Sequence, residues 1–565
     1  MSTVAPTATA QPEIDTAELV TDPRRQRQIL IAMCTALIAV VASVSGLNVA
    51  QQTLAIELGA SQGQLLWIIN GYTLALAALL MPVGAIGDRF GRKPILLTGL
   101  VLFVGANLMA AFAGSVSVLL VARVLAGAAA AMIMPVTLSV ITTSFPPEQR
   151  ARAVGIWSGF AGAGGILGLF VSALIIDQFT WPWLFAMPVV FAALALVLSL
   201  RAVGNSRERH TGRFDTVGSV LSALAIGGIV LGIHEGPEKG WMHTLTLAGL
   251  AVGAVSLAVF IVWELHRSNP LFDIRLFRHR GLTVGTLTLM LIFLVLVGIF
   301  LVLTQFTQAV LGFSAIASAA ALLPMMVIMM PLAATAPVIA QRVGTRSVLM
   351  TGVGFFTAGL ALLAITVSAD GGYLSVLPGL LVVSVGIGLC MTPATTMITE
   401  SLPTDKQGVA SALNDTVREL GGAIGVALLG SVVSAGYRAS VSDATTNLSP
   451  ELAHRVEEGI GSAFAAAPEL GSSGPSVIDA AREALVDGWR VSMWVGVGLA
   501  AVTFVYLAIW GPRRSDAGVV ANASVLVDAG SQHAARSSAG RLTVAQQHLA
   551  VDDDGVIAVG LVHET

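Results

Sequence analysis

Fourteen apolar stretches, each about as long as a bilayer is thick, decide what this chain can become. Roughly 20 predominantly apolar residues are needed to cross a hydrocarbon core of about 30 Å as an α-helix. Lipid offers the backbone no hydrogen bonds, so only helices and closed barrels can cross. The stretches lie near 29–50, 64–86, 95–114, 117–142, 153–176 and 183–203, then 215–235 and 244–264, then 283–305, 316–339, 347–367, 374–398, 408–435 and 489–510. Of the 565 residues, 55% are hydrophobic and 11% charged, where a soluble chain carries about a quarter charged residues. The sequence therefore predicts an all-α polytopic membrane protein. Cys34 and Cys390 both fall inside apolar spans, which leaves no disulfide framework and no metal-ligand cluster. Without a phosphate loop, zinc signature or nucleophile constellation, neither enzyme activity nor a cofactor or metal is expected.

The charges fix an orientation. With the N-terminus inside, alternate loops carry Arg24, Arg25 and Arg27; Arg89, Arg92 and Lys93; Arg150 and Arg152; Arg201, Arg207, Arg209 and Arg213; Arg267, Arg275, Arg278 and Arg280; Arg342 and Arg346; and Lys406. The short loops opposite carry Lys239 alone. This positive-inside bias puts both termini in the cytoplasm of a multi-pass protein of the cell membrane. His234, Glu235, Glu238 and Lys239 cluster at an outer turn, where solvated side chains are expected. The outer loop 436–487 has one amphipathic helical pattern, in LSPELAHRVEEGIGSAF, and reads either as a hairpin over the outer opening or as a linker. The start 1–28 reads as a cytoplasmic tail rather than a cleaved leader, and 512–565 as a largely disordered cytoplasmic tail.

An internal repeat organises the spans. MPVGAIGDRFGRKPILLTG (81–99) aligns with APVIAQRVGTRSVLMTG (336–352), so that Arg89, Gly91, Lys93, Thr98 and Gly99 fall on Arg342, Gly344, Arg346, Thr351 and Gly352. FPPEQRARAVGIWSGFAGAGGILG (145–168) aligns with LPTDKQGVASALNDTVRELGGAIG (402–425) at nearly the same offset. The glycines Gly164, Gly165 and Gly168 then match Gly421, Gly422 and Gly425, as expected of close helix packing. The predicted architecture is a six-helix bundle (29–203), two inserted helices (204–264), and a second six-helix bundle (265–511) that includes the loop 436–487.

Within the span 408–435 stand Asp415, Arg418 and Glu419. A charge at the bilayer centre costs roughly 2.5–3.5 kcal/mol on insertion scales, so such residues usually face a cavity or a partner. Asp415 and Glu419 are four apart and share a helix face. At about 1.5 Å per residue from Gly408 they lie roughly 10–17 Å deep, near the midplane where transporters bind cargo and coupling ions. Two crowded carboxylates cannot easily both ionise, so the pair shares a proton. Two acids against one base leave a surplus carboxylate for that role. The alternative is an Arg418 pairing that only ties helices together. Arg123 is a second intramembrane cation, able to steer a proton site or to pair with an acid. Ser43, Asn48, Asn70, Tyr72 and Asn414 are candidates to line a polar cavity, and PMMVIMMP (324–331) reads as core or lipid-facing. Between the second and third spans, Gly84, Asp88, Arg89, Gly91, Arg92 and Lys93 form a compact motif. Its glycines permit a sharp turn and close approach, and its Asp suits a neighbouring helix N-terminus.

GxxxDRxGRK at this place, two six-helix halves and fourteen spans resemble the major facilitator superfamily, specifically its fourteen-helix drug:proton antiporter branch. Arg123 in LLVARVLAGAAAA, WIINGYTL (67–74) and NVAxxxxxIELGAS (48–61) add to the resemblance, which covers roughly 29–511. It implies proton antiport of a lipophilic small molecule across the bilayer by a monomer, with no nucleic-acid partner. It also implies that the motif from Gly84 to Lys93 stabilises the outward-facing state. The sequence departs from the family pattern at Ser43, where the first helix usually has Asp, and at Asn70, where some members have Asp. Leu169, Ser172 and Ala173 stand where the fifth-helix motif has Pro-Gly-Gly. These departures leave open a facilitator or importer of the same fold, and a sensor or scaffold built on a transporter frame is the third reading.

Overall fold

The structure is a computed structural model that describes residues 19–49, 54, 57–206, 214–403, 406–446 and 448–511. Among the described residues fourteen helices are long and apolar enough to cross a membrane, and there is no strand. The first half comprises α1 (Pro23–Val49), α2 (Gln62–Phe90), α3 (Arg92–Ala111), α4 (Val116–Ser144), α5 (Pro147–Gln178) and α6 (Ala186–Ala202). The inserted pair is α7 (Thr216–Lys239) and α8 (Thr244–His266). The second half comprises α9 (Arg280–Gln305), α10 (Leu323–Val343), α11 (Thr345–Thr366), α12 (Leu377–Glu400), α13 (Gln407–Thr445) and α14 (Gly474–Trp510).

Small residues set the packing, because helices in lipid gain by close approach rather than by hydrophobic burial. Gly421 and Gly425 bring α13 against α9, where an added Cβ would strike the carbonyls of Met290 and Leu294, and Gly164 packs on Val41 of α1. Between the halves, α5 packs on α10 and α12, and α13 packs on α2 and α4. The inserted helices meet through two glycine pairs, Gly228 and Gly232 on Gly249 and Gly253. The spacing of each pair is a GxxxG pattern, readable in the sequence. α7 then lies against both α2 and α13.

The repeat appears as matched geometry. Gly91 and Gly344 both take positive φ, 107° and 92°, at the break between consecutive helices. Lys93 Nζ donates to the Leu200 carbonyl at 3.1 Å near the end of α6. Its counterpart Arg346 donates to the carbonyls of Ala508 and Gly511 at the end of α14.

Two expectations need correction. The segment 436–487 is not a linker; it is helical over most of its length. α13 runs on to Thr445, short helices follow at Pro450–Glu458 and Ile460–Ala466, and α14 already begins at Gly474. Val456, Ile460, Ala463, Val477 and Ala481 are buried on these helix extensions, continuous with the main apolar core, and the Tyr437 hydroxyl donates to the Val456 carbonyl at 2.9 Å. The amphipathic pattern buries its apolar face here. Glu235 at the end of α7 is not solvated either: it is 5% exposed and pairs with Lys239 one turn on, at 2.7 Å.

Candidate functional site

The motif at the junction of α2 and α3 fastens the two halves together at the end bearing the arginine-rich loops. Asp88 is buried, and its Oδ1 and Oδ2 accept from the backbone N–H groups of Gly408 at 2.8 Å and Val409 at 3.0 Å. These are orphan donors in the first turn of α13, at the positive end of its dipole. Gly84 and Gly408 make the approach possible: a Cβ on Gly84 would lie 2.7 Å from the Gly408 carbonyl. Arg92 steadies the acid with Nε at 3.0 Å and Nη2 at 2.6 Å from Oδ1. It also takes hold of Ser206, through its backbone N–H to the carbonyl at 3.0 Å and Nη1 to Oγ at 3.3 Å. Arg89 lies over the rings of Phe90 and Phe214. Gln341 stands where the repeat would place a second acid.

Gly408, Ser411, Ala412 and Asp415 follow one face of α13 inward from this contact. Asp415 is fully buried; its Oδ1 accepts from the Asn414 side chain at 3.1 Å. Arg418 Nη1 is 3.8 Å from the same oxygen, too far for a hydrogen bond. Asp415 Oδ2, Asn414 Oδ1 and the Nε and Nη2 of Arg418 have no hydrogen-bond partner among the described residues. The guanidinium sits between two aromatic faces, 4.9 Å from the ring centre of Trp157 on α5 and 5.0 Å from that of Phe293 on α9. Trp157 belongs to the other half, and its indole N–H donates to Thr137 at 3.0 Å. Neither aromatic was singled out in the sequence, since both are distant from Arg418 along the chain. Glu419 is half-buried and lies within electrostatic reach of Asp415, Arg418 and the Tyr72 hydroxyl.

In the first half, Arg123 is buried without a carboxylate against it among the described residues. Nη1 donates to Ser43 Oγ at 2.9 Å and Nε to the Ile68 carbonyl at 3.4 Å, and the guanidinium lies 4.3 Å above the Tyr72 ring. Ser43 donates on to Asn107 at 3.2 Å, and Tyr72 to the Val40 carbonyl at 3.2 Å. Ser43 and Tyr72 are thus held by Arg123. Asn70 is half-buried on α2. The Asn48 side chain falls outside the described residues, as do Arg207, Arg209, Arg213, the start 1–18 and the tail 512–565. The Met-rich stretch is partly core: Met329 meets Met391 beside Gly162, where a Cβ would come within 2.9 Å of the Met329 methyl.

Two helical halves meeting around intramembrane charges define a multi-span membrane transporter. Residues 31–426 match the model of the Major Facilitator Superfamily, and the chain belongs to that family. It is similar to the multidrug efflux pump LfrA of Mycolicibacterium smegmatis, with 34% identity over 430 residues, 75% of this chain and 84% of the relative. It is 31% identical to the methyl viologen resistance protein SmvA of Salmonella typhimurium, over 86% of this chain and 98% of the relative. It is 29% identical to the multidrug resistance protein Stp of Mycobacterium tuberculosis, over 87% and 93%. Among solved structures, the fold is similar to the human organic anion transporter MFSD10 (TM-score 0.55, 11% identity, 86% of this chain and 100% of that one). It is also similar to the proton:xylose symporter XylE (TM-score 0.54, 14% identity, 86% and 96%).

Proposed function

We propose that this protein exports drugs or hydrophobic metabolites across the cell membrane in exchange for protons, by alternating access between its two six-helix halves (29–203 and 265–511). The observation that carries this reading is the arrangement on α13, where two acids share one base deep inside the bundle. Asp415 is tied to Asn414 and approached by Arg418, which leaves Glu419 as the surplus carboxylate. It sits half-buried, able to take a proton from one side and release it to the other. One proton moving inward gains about 2.3 kcal/mol per 100 mV and about 1.4 kcal/mol per pH unit, enough for a roughly hundredfold gradient of a neutral solute. The arginine-rich end faces the cytoplasm on the positive-inside argument. The Asp88 contact then closes the cytoplasmic side and stabilises an outward-facing state. The chain works as a monomer in the bilayer. Similarity to the multidrug proteins LfrA and Stp supports multidrug cargo, and similarity to the methyl viologen resistance protein SmvA makes methyl viologen a suitable first probe.

The test is methyl viologen transport and coupled proton flux in proteoliposomes under an imposed pH gradient. Glu419→Gln and Asp415→Asn are compared with wild type. At least one substitution is expected to abolish gradient-driven accumulation while facilitated exchange survives. Cargo movement with no proton flux in the wild type would instead select the facilitator, a reading favoured by the hydrogen bond of Arg123 to a serine rather than an acid. Full transport after deletion of 515–565 would remove the sensor reading.

A further inference from the structure

At the cytoplasmic foot of the inserted helices, two buried acids converge outside the central site. Asp215 caps α7: its Oδ1 accepts from Gly218 N–H at 2.9 Å and from the Trp263 indole N–H at 3.0 Å, with Oδ2 3.2 Å from the same indole nitrogen. Glu264, in the last turn of α8, is 0% exposed, and its Oε2 accepts from the Phe272 N–H at 3.3 Å. Its other oxygen, Oε1, has no donor among the described residues. A Cβ on Gly218 would strike that oxygen and lie 2.8 Å from Asp215 Oδ2, so the two oxygens flank one gap that the glycine keeps open. Lys406 lies within electrostatic reach of Glu264, and the Leu271 N–H also approaches its carboxylate. The side chains of the surrounding charged groups make their direct contacts elsewhere. Arg267 lies over the Trp263 ring, Arg275 donates to the Leu265 carbonyl, His266 is turned to the Val262 carbonyl, Lys406 donates to the Pro270 carbonyl, and Arg89 of α2 lies over Phe214.

Two carboxylates this close and shielded from water do not both hold a charge. A proton on Glu264 supplies the donor that Oε1 otherwise lacks a counterpart for, and Asp215 Oδ2 supplies the acceptor. We propose that Asp215 and Glu264 form a one-proton site, separate from the acids of α13, with the proton on Glu264 Oε1 bonded to Asp215 Oδ2. The occupied site clamps the linker 267–279. Glu264 Oε2 holds Phe272, and the Pro270 carbonyl holds Lys406, two residues before the Gly408 N–H that Asp88 binds. Proton loss charges Glu264 beside Asp215. The repulsion between the two shielded carboxylates drives the end of α8 and its linker away from α7, outweighing the stronger acceptance of an ionised Oε2 from Phe272. The closed clamp binds one proton more than the open one, so opening becomes easier as pH rises. The expected slope is roughly tenfold per pH unit until the closed pair itself loses its proton.

The test uses the full-length protein in detergent, with two readouts. Infrared difference spectra between mildly acidic and alkaline pH report the carbonyl stretch of a protonated carboxyl. Tryptic cleavage at Arg275 and Arg278, normalised to a peptide of the same linker, reports clamp opening. Wild type is expected to lose a carboxylic-acid band and gain cleavage steeply with pH. Glu264→Gln, which keeps a donor in the gap without the charge, is expected to lack that band and to be cleaved slowly throughout. Asp215→Asn, whose amide donates to an ionised Glu264 while its oxygen keeps the cap, is expected to lose the pH dependence by another route. It serves should the first variant not fold. Either variant retaining the wild-type band and pH profile overturns the proposal. So does a clamp that responds to exchange of sodium or potassium for choline at fixed pH, which would mark the gap as an alkali-cation site.

Discussion

Asp88→Asn isolates the strength of the contact that holds the two halves together. The carboxylate makes two charge-assisted bonds to α13, at 2.8 and 3.0 Å, and asparagine keeps one acceptor and loses the charge. A hydrogen bond to a charged group contributes about 1.5–3 kcal/mol, and an anion at a partly buried helix terminus up to about 2 kcal/mol. The Arg92 fork lies within one half, so it is present whether or not the halves meet and cancels from the comparison. Losing one bond and most of the dipole term removes about 3 kcal/mol from the closed state. That shifts the ratio of closed to open molecules roughly a hundredfold. Ser411→Cys, in a background with Cys34→Ala and Cys390→Ala, provides the probe. Ser411 is fully buried, its hydroxyl has no partner among the described residues, and it lies one turn beyond the contact. Labelling by an impermeant maleimide in inverted vesicles is expected to accelerate by a comparable factor in Asp88→Asn. Arg92→Gln is the control, expected to lower thermal stability more than it raises labelling. An unchanged labelling rate in folded, cargo-binding Asp88→Asn would refute the reasoning.

Three further outcomes are expected. Gly425→Leu should lower thermal stability in detergent by about 1–3 kcal/mol or more, because its Cβ falls on the Leu294 carbonyl. Gly430→Leu, whose Cβ has 3.5 Å to Leu301, should cost much less. Arg418→Gln leaves Asp415 buried without its counter-charge, for a loss of about 3–5 kcal/mol. The double variant with Asp415→Asn should lose less than the sum, and strict additivity would show the pair to be uncoupled. Ser43→Asp sets a carboxylate against Arg123 Nη1, and the pH profile of proteoliposome efflux should gain a second step. An unchanged profile would separate Arg123 from proton traffic.

Much of the frame was legible because lipid allows few solutions: apolar length alone located the fourteen helices. The Asp88 contact was also readable, since an acid between glycines at a helix break has few uses other than a helix N-terminus. The surroundings of Arg418 were not. Trp157 and Phe293 are ordinary apolar residues of their own spans; α9 packs on α13 and brings Phe293, while Trp157 reaches the guanidinium from α5 of the other half. The continuation of α13 past 435 was hidden because hydropathy falls where the membrane ends, while the helix does not. Asp215 looks like any helix cap and Glu264 like any acid at a span end. Their convergence depends on the Gly228 and Gly249 contacts that draw α7 and α8 together.

α13 is one uninterrupted rod of 39 residues, about 58 Å at 1.5 Å per residue, with Asp88 gripping its first turn and the outer helical cap seated on its last. A tilt about its middle moves the two ends in opposite directions, so freeing the inner end swings the cap the other way. A fluorophore or antibody fragment on that cap is therefore a remote pointer, reading at one end of the rod what happens at the other.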